Sequence, residues 1–100
     1  MIKHIVMWKL KDMAQGKSKL ENANIIKKDL EALKNIIENV NLIEVGVNIN
    51  ASDGAYDVVL YSEFNTMEDL NSYQKHPDHL KVGEFIGKVK EERIVTDYEV

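Results

Sequence analysis

The segment Ile2–Leu10 limits the possible folds more than any other part of the chain. With the two-residue period of a strand, Ile2, His4, Val6, Trp8 and Leu10 fall on one side, and Ile5 and Met7 fall on the other between Lys3 and Lys9. A strand with one wet face alternates cleanly between apolar and polar residues. Here apolar groups occur on both faces, so the strand belongs inside a sheet that is covered twice. The remaining segments must supply both covers.

Lys11 to Lys17, with Asp12 and Gly16, reads as a loop. Ser18 and Glu21 then form the Ser-x-x-Glu pattern of a capping box, which predicts a helix. Leu20, Ala23, Ile26, Leu30, Leu33 and Ile37 recur at spacings of three or four as its buried stripe, leaving Lys27, Lys28, Glu31 and Lys34 to water. From Leu42 to Ile49 the period changes to two, and a second apolar run spans Tyr56 to Phe64 beyond the turn formers Asn50–Gly54. The two runs predict an antiparallel hairpin. A short helix capped by Asn65 or Thr66 carries Met67, Leu70 and Tyr73 and breaks at His76-Pro77, because proline disfavours helical geometry in the residue before it. The resumed helix is expected to bury Leu80 or Val82, Phe85, Ile86 and Val89, and Ile94 to Val100 alternates as a last strand.

Strand, helix, strand, strand, helix, strand is the ferredoxin-like βαββαβ order, an α+β fold with both helices on one face of a four-stranded antiparallel sheet. The other face is bare, with Ile5, Met7, Val59, Tyr61 and Val95 available to it, and a second copy of the chain is the simplest cover. One hundred residues with 44% hydrophobic and 30% charged side chains suit one domain over 1–100.

Seventeen acidic residues against thirteen basic ones leave a net charge of -4 with no clustered lysines, so nucleic acid is not an expected partner. Cysteine is absent, which excludes disulfides, thiolate metal sites and a cysteine nucleophile. Charges interrupt the first residues too often for a secretory core or a membrane span, and a cytoplasmic location with no membrane partner is expected.

Three stretches carry a family resemblance: Ile2-Lys3-His4-Ile5-Val6-Met7-Trp8-Lys9-Leu10-Lys11-Asp12, Asn41-Leu42-Ile43-Glu44-Val45-Gly46-Val47-Asn48, and Tyr73-Gln74-Lys75-His76-Pro77-Asp78-His79. Together with the ending Arg93–Val100 they resemble the stress-responsive A/B barrel (Dabb) domain over essentially the whole chain. The resemblance implies a homodimer whose two sheets pack face to face as a dimeric α+β barrel. Most members of that family have no assigned reaction. A plant polyketide cyclase carries the same domain; its catalytic histidine on the first strand is similar to His4, and its tyrosine and histidine around the His-Pro motif are similar to Tyr73 and His79. Its pocket is lined for a long alkyl tail, to which Met67, Leu70, Trp8, Phe85 and Ile86 do not correspond position by position.

His4, Tyr73 and His79 are therefore the candidate catalytic residues, with Val6, Trp8, His76, Phe85 and Ile86 as the candidate pocket. An imidazole in a half-buried pocket titrates near neutral pH, and a phenol beside it can polarise a carbonyl oxygen, as enolisation of a keto compound requires. The competing reading makes His4 a hydrogen-bonded core histidine, His76 a ligand of backbone carbonyls and Asp78 a helix cap. His-Pro-Asp-His across a helix break lacks the His-x-x-x-His spacing of a helical zinc site, and the isolated Gly46, Gly83 and Gly87 make no phosphate loop, so neither a metal nor another cofactor is expected.

Overall fold

The computed structural model describes residues 1–100. The elements run β1 (Ile2–Leu10), β2 (Met13–Ala14), β3 (Lys17–Ser18), α1 (Lys19–Ala32), β4 (Leu42–Val47), β5 (Val58–Phe64), α2 (Met67–Lys75), α3 (Pro77–Val89) and β6 (Lys90–Glu99). Four of the strands form one antiparallel sheet in the order β4-β5-β1-β6, the ferredoxin-like plan expected from the sequence.

Each helix starts where local chemistry allows. At α1 the Ser18 hydroxyl accepts from the Glu21 N–H at 3.2 Å while the Glu21 carboxylate accepts from the Ser18 N–H at 3.0 Å, the reciprocal capping box. Thr66 caps α2 by accepting from the Asp69 N–H at 3.1 Å. His76 is held extended by Pro77 (φ -61°, ψ 136°) and caps α3 itself, its Nδ1 accepting from the Asp78 N–H at 3.1 Å. It thus bonds an orphan donor of the new helix rather than carbonyls, and Asp78 lies in the first turn rather than at the cap.

The segment read as a loop contains a tight ribbon, β2 against β3. Its two turn residues, Gln15 and Gly16, both have positive φ (54° and 73°), the left-handed pair that a two-residue hairpin requires. Glutamine rarely signals that conformation. The stripe of α1 also differs from its prediction: Leu20 is 62% exposed, Asn22 is buried and donates to the Ala14 carbonyl of the ribbon at 3.0 Å, and the helix tightens to a 3-10 turn at Leu33–Asn35. Ile49 lies beyond β4 in water, and Met67 and Leu80 are exposed.

Residues paired across the sheet share a face. Val45, Leu60, Val6 and Val95 form one row on the helix side, and Glu44, Tyr61, Ile5 and Thr96 form the next row on the bare side. Val95 therefore points toward the helices, and Ile94, opposite Met7, takes the place expected for it on the bare face. The core of eighteen buried apolar side chains lies between the sheet and the helices. There α1 packs on β4 and α3, while α2 packs on β1 and β5. No helix runs along β6, whose side chains beyond Lys90 are exposed. The helical layer is narrower than the sheet, and that mismatch positions the site.

Candidate functional site

Between β1 and the helices, toward the uncovered strand β6, lies a cavity of about 110 Å³. Val6, Trp8, Leu30, Leu60 and Ile86 form its apolar wall, and His4, Gln74, His79, Gly83, Lys90 and Arg93 supply the rest. His4 comes from the helix side of β1, and His79 from the first turns of α3, which the break at Pro77 re-aims after α2 ends.

His4 is 2% exposed, and its Nδ1 meets Asp97 Oδ1 at 2.5 Å. A carboxylate only accepts, so the hydrogen between them belongs to Nδ1 and the other ring nitrogen, Nε2, is left for a ligand. The pairing of β1 with β6 makes this contact: His4 and Asp97 are direct cross-strand partners. Asp97 escaped the sequence reading, although antiparallel pairing of the first and last strands would have found it.

His79 is half-buried, and its Nδ1 has no hydrogen-bond partner. Burial pushes its imidazole below the ordinary histidine range, and the nearby Arg93 charge acts in the same direction. It is a neutral base at pH 7. The Tyr73 ring packs edge-on against His79 with centroids 4.5 Å apart and against Phe64 at 5.1 Å. Tyr73 is fully buried, its hydroxyl has no partner, and burial raises its pKa far enough to keep the phenol protonated.

Tyr73 does not reach the cavity wall, so it touches His79 instead of polarising a ligand's carbonyl directly. Val6, Trp8 and Ile86 line the cavity, whereas Phe85 and His76 do not. Phe85 packs half-buried beside the core, and His76, used as a cap, opens on a separate hollow with Ile36, Ile37 and Ser72. Gln74 and Arg93 are not singled out by the sequence, and Lys90, answered there by Glu91 and Glu92, reads as part of a solvated face. No group of three or more His, Cys, Asp or Glu side chains is set to hold a metal ion, and no helix is long and apolar enough to cross a membrane.

Residues 2–100 match the model of the stress responsive A/B barrel domain, called Dabb. The chain belongs to the Dabb family. Among its relatives, the stress-response A/B barrel domain-containing protein DABB1 of Arabidopsis thaliana is 29% identical over 97% of this chain and 46% of that protein. This Dabb chain thus spans less than half the length of that relative. A dimeric protein of unknown function and ferredoxin-like fold from Bacteroides fragilis is 38% identical, with a TM-score of 0.89 over 99% of this chain and 95% of that one. The hydroxynitrile lyase of Passiflora edulis superposes with a TM-score of 0.79 over 97% of this chain and 90% of that one, at 19% identity, which is likeness of fold alone. The Bacteroides fragilis protein and a second structural neighbour, from Thermobifida fusca, are both described as dimeric and ferredoxin-like, and the Passiflora edulis neighbour is an enzyme.

Proposed function

We propose that this Dabb protein is a homodimer that binds a small carbonyl compound in the cavity beside β1 and converts it by acid–base chemistry without a cofactor, in the manner of a cyclase, isomerase or lyase. The observation that carries the proposal is the His4–Asp97 contact in the cavity wall that also holds His79. In this reading His4 Nε2 takes a proton from the ligand, with the imidazolium that forms stabilised by Asp97. His79, uncharged at rest, relays a proton on the other side of the reacting group, and Tyr73 holds the His79 ring in place. A fold neighbour that is a hydroxynitrile lyase is compatible with this class, since splitting a hydroxynitrile needs a base to take its hydroxyl proton as the carbonyl forms and cyanide leaves.

Cavity size narrows the ligand. A cavity of roughly 150 Å³ in another protein takes up benzene, so about 110 Å³ suits a body of four to six heavy atoms rather than a polyketide chain. Small keto compounds are the fitting class.

A second reading is favoured by the burial of His4: a histidine this enclosed, bonded across to the last strand, also serves a purely structural or binding dimer. One variant separates the two. Exchange of solvent deuterium into butanone and 2-oxobutyrate, followed by proton NMR, should be faster with the protein than without it. His4→Ala should remove about 10²- to 10⁴-fold of that acceleration, the range of a positioned acid–base group. The same variant should lose about 1–3 kcal/mol of stability from the unpaired Asp97. Lost stability with no exchange in the wild type would leave the structural reading standing and the enzymatic one refuted.

A further inference from the structure

The residues at the mouth of the cavity depend on an irregularity in β6. Strict alternation would send Lys90 and Arg93, three positions apart, to opposite faces of the sheet. The register shift between Lys9 and Leu10 leaves Glu91 unpaired, so that Arg93 stands opposite Trp8 and Lys90 opposite Leu10. Trp8 and Leu10 both face the helices, and the bulge therefore delivers both cations to the same side. Both line the cavity.

Neither cation forms an ion pair with the protein. The nearby carboxylates are otherwise engaged: Glu92 pairs with Lys9 at 3.5 Å on the bare face, Asp97 with His4, and Glu91 opens on another hollow. Arg93 is also the sole arginine of a chain with net charge -4. Trp8, opposite Arg93, and Leu10, opposite Lys90, are two residues apart, so the two cations leave the strand about 7 Å from each other, close enough to share one anion. Two like charges held on one face destabilise each other until an anion joins them.

We infer that the ligand of this cavity carries a carboxylate, gripped by the Arg93 guanidinium with Lys90 beside it, while its short apolar body lies on Val6 and Trp8. The charge count favours a monoanion: two cations against the Asp97 carboxylate leave one positive charge uncompensated. The inference concerns the same cavity as the proposed chemistry and names its substrate class, a short keto acid whose carbonyl end lies toward His4.

Titration of the intact protein with butyrate, its uncharged isostere butyramide, and inorganic phosphate, followed by amide NMR at Gly83 and the Trp8 indole, tests the point. Butyrate should bind about tenfold or more tightly than butyramide, the ratio expected when a hydrogen bond to a charged group is lost, and added salt should narrow the gap. Arg93→Gln should abolish the preference and Arg93→Lys should restore part of it, with unchanged dispersion of the core signals reporting an intact fold. Butyrate that binds no better than butyramide, butyrate that does not bind at all, stronger binding of phosphate, or a preference that survives in Arg93→Gln would each overturn the inference. Deuterium exchange into butanone with no butyrate preference removes the carboxylate and leaves the proposed chemistry; a butyrate preference without exchange does the reverse.

Discussion

His79 is the residue whose protonation state ties the site to the stability of the whole domain. Its pKa is lowered in the folded protein, chiefly by burial, while the unfolded chain returns it to the ordinary value of about 6.5. Above that value both states are neutral and the group contributes nothing to the pH dependence. As pH falls below it, the unfolded chain takes up a proton that the folded protein resists, so stability declines until the folded-state pKa is passed. The titratable and charged groups facing His79 are His4 from β1, Arg93 from β6, and His76 and Tyr73 from the preceding helix and its end, and none of them supplies a negative charge to hold the imidazolium. Thermal melts between pH 7.5 and about 5 should therefore show a falling Tm in the wild type and a shallower slope in His79→Gln. Equal slopes would mean that the ring is hydrated in the folded state.

At the scale of elements, the edge strand β4 shows why some side chains were misread. Lys27 and Glu31 are four apart on α1 and look in the sequence like a solvated helix pair. In the fold they reach the free edge of β4: Lys27 Nζ donates to the Val45 carbonyl at 2.6 Å and to Glu31 at 2.9 Å, and Glu31 accepts from the Val45 N–H at 3.2 Å. The pair thereby satisfies backbone groups that an unprotected edge would offer to another strand. An exposed helix pair contributes about 0.3–0.5 kcal/mol, whereas a bond to an otherwise unpaired backbone group adds about 1 kcal/mol, so Glu31→Ala should cost more than about 1 kcal/mol in urea unfolding. A loss no larger than that of an ordinary surface pair would show that water serves the edge equally well. The same limit separates what was legible from what was not. Periodicity and caps gave the element order and put His4, Val6, Trp8 and Ile86 on facing sides of sheet and helix, because those signals lie within single segments, while the choice of His79 over His76 came from the family resemblance. Asp97, Arg93 and Lys90 depend on the register of β6 against β1 and on one bulge, which no local pattern in the sequence announces. Phe85 and His76 were assigned to the pocket because helix spacing gives a face only approximately, and the turn at Pro77 rotates that face.

At the scale of the whole molecule, the sheet has a side the chain itself does not cover. Met7, Val59 and Ile94 form an apolar row with Gly46 at its edge, where an added Cβ would meet Val59 Cγ1 at 3.2 Å, so a larger residue there would crowd the row. Ile5 and Tyr61 continue the apolar patch, flanked in their row by Glu44 and Thr96, and the Lys3–Glu63 and Lys9–Glu92 pairs lie toward its ends. An apolar centre rimmed by paired charges is the layout of an interface, and the Bacteroides fragilis relative of this fold is dimeric. The expected partner surface is the same face of a second copy, which brings the Met7 rows of the two chains together around a two-fold axis. Sedimentation at micromolar concentration should then give a dimer, and Met7→Lys, which buries two like charges at the centre of the contact, should give a monomer. The ligand cavity lies on the opposite side of the sheet, so the Met7→Lys monomer should still bind butyrate if it remains folded. A wild-type monomer, or a Met7→Lys protein that sediments as a dimer, would place the contact elsewhere and leave the apolar row without an occupant.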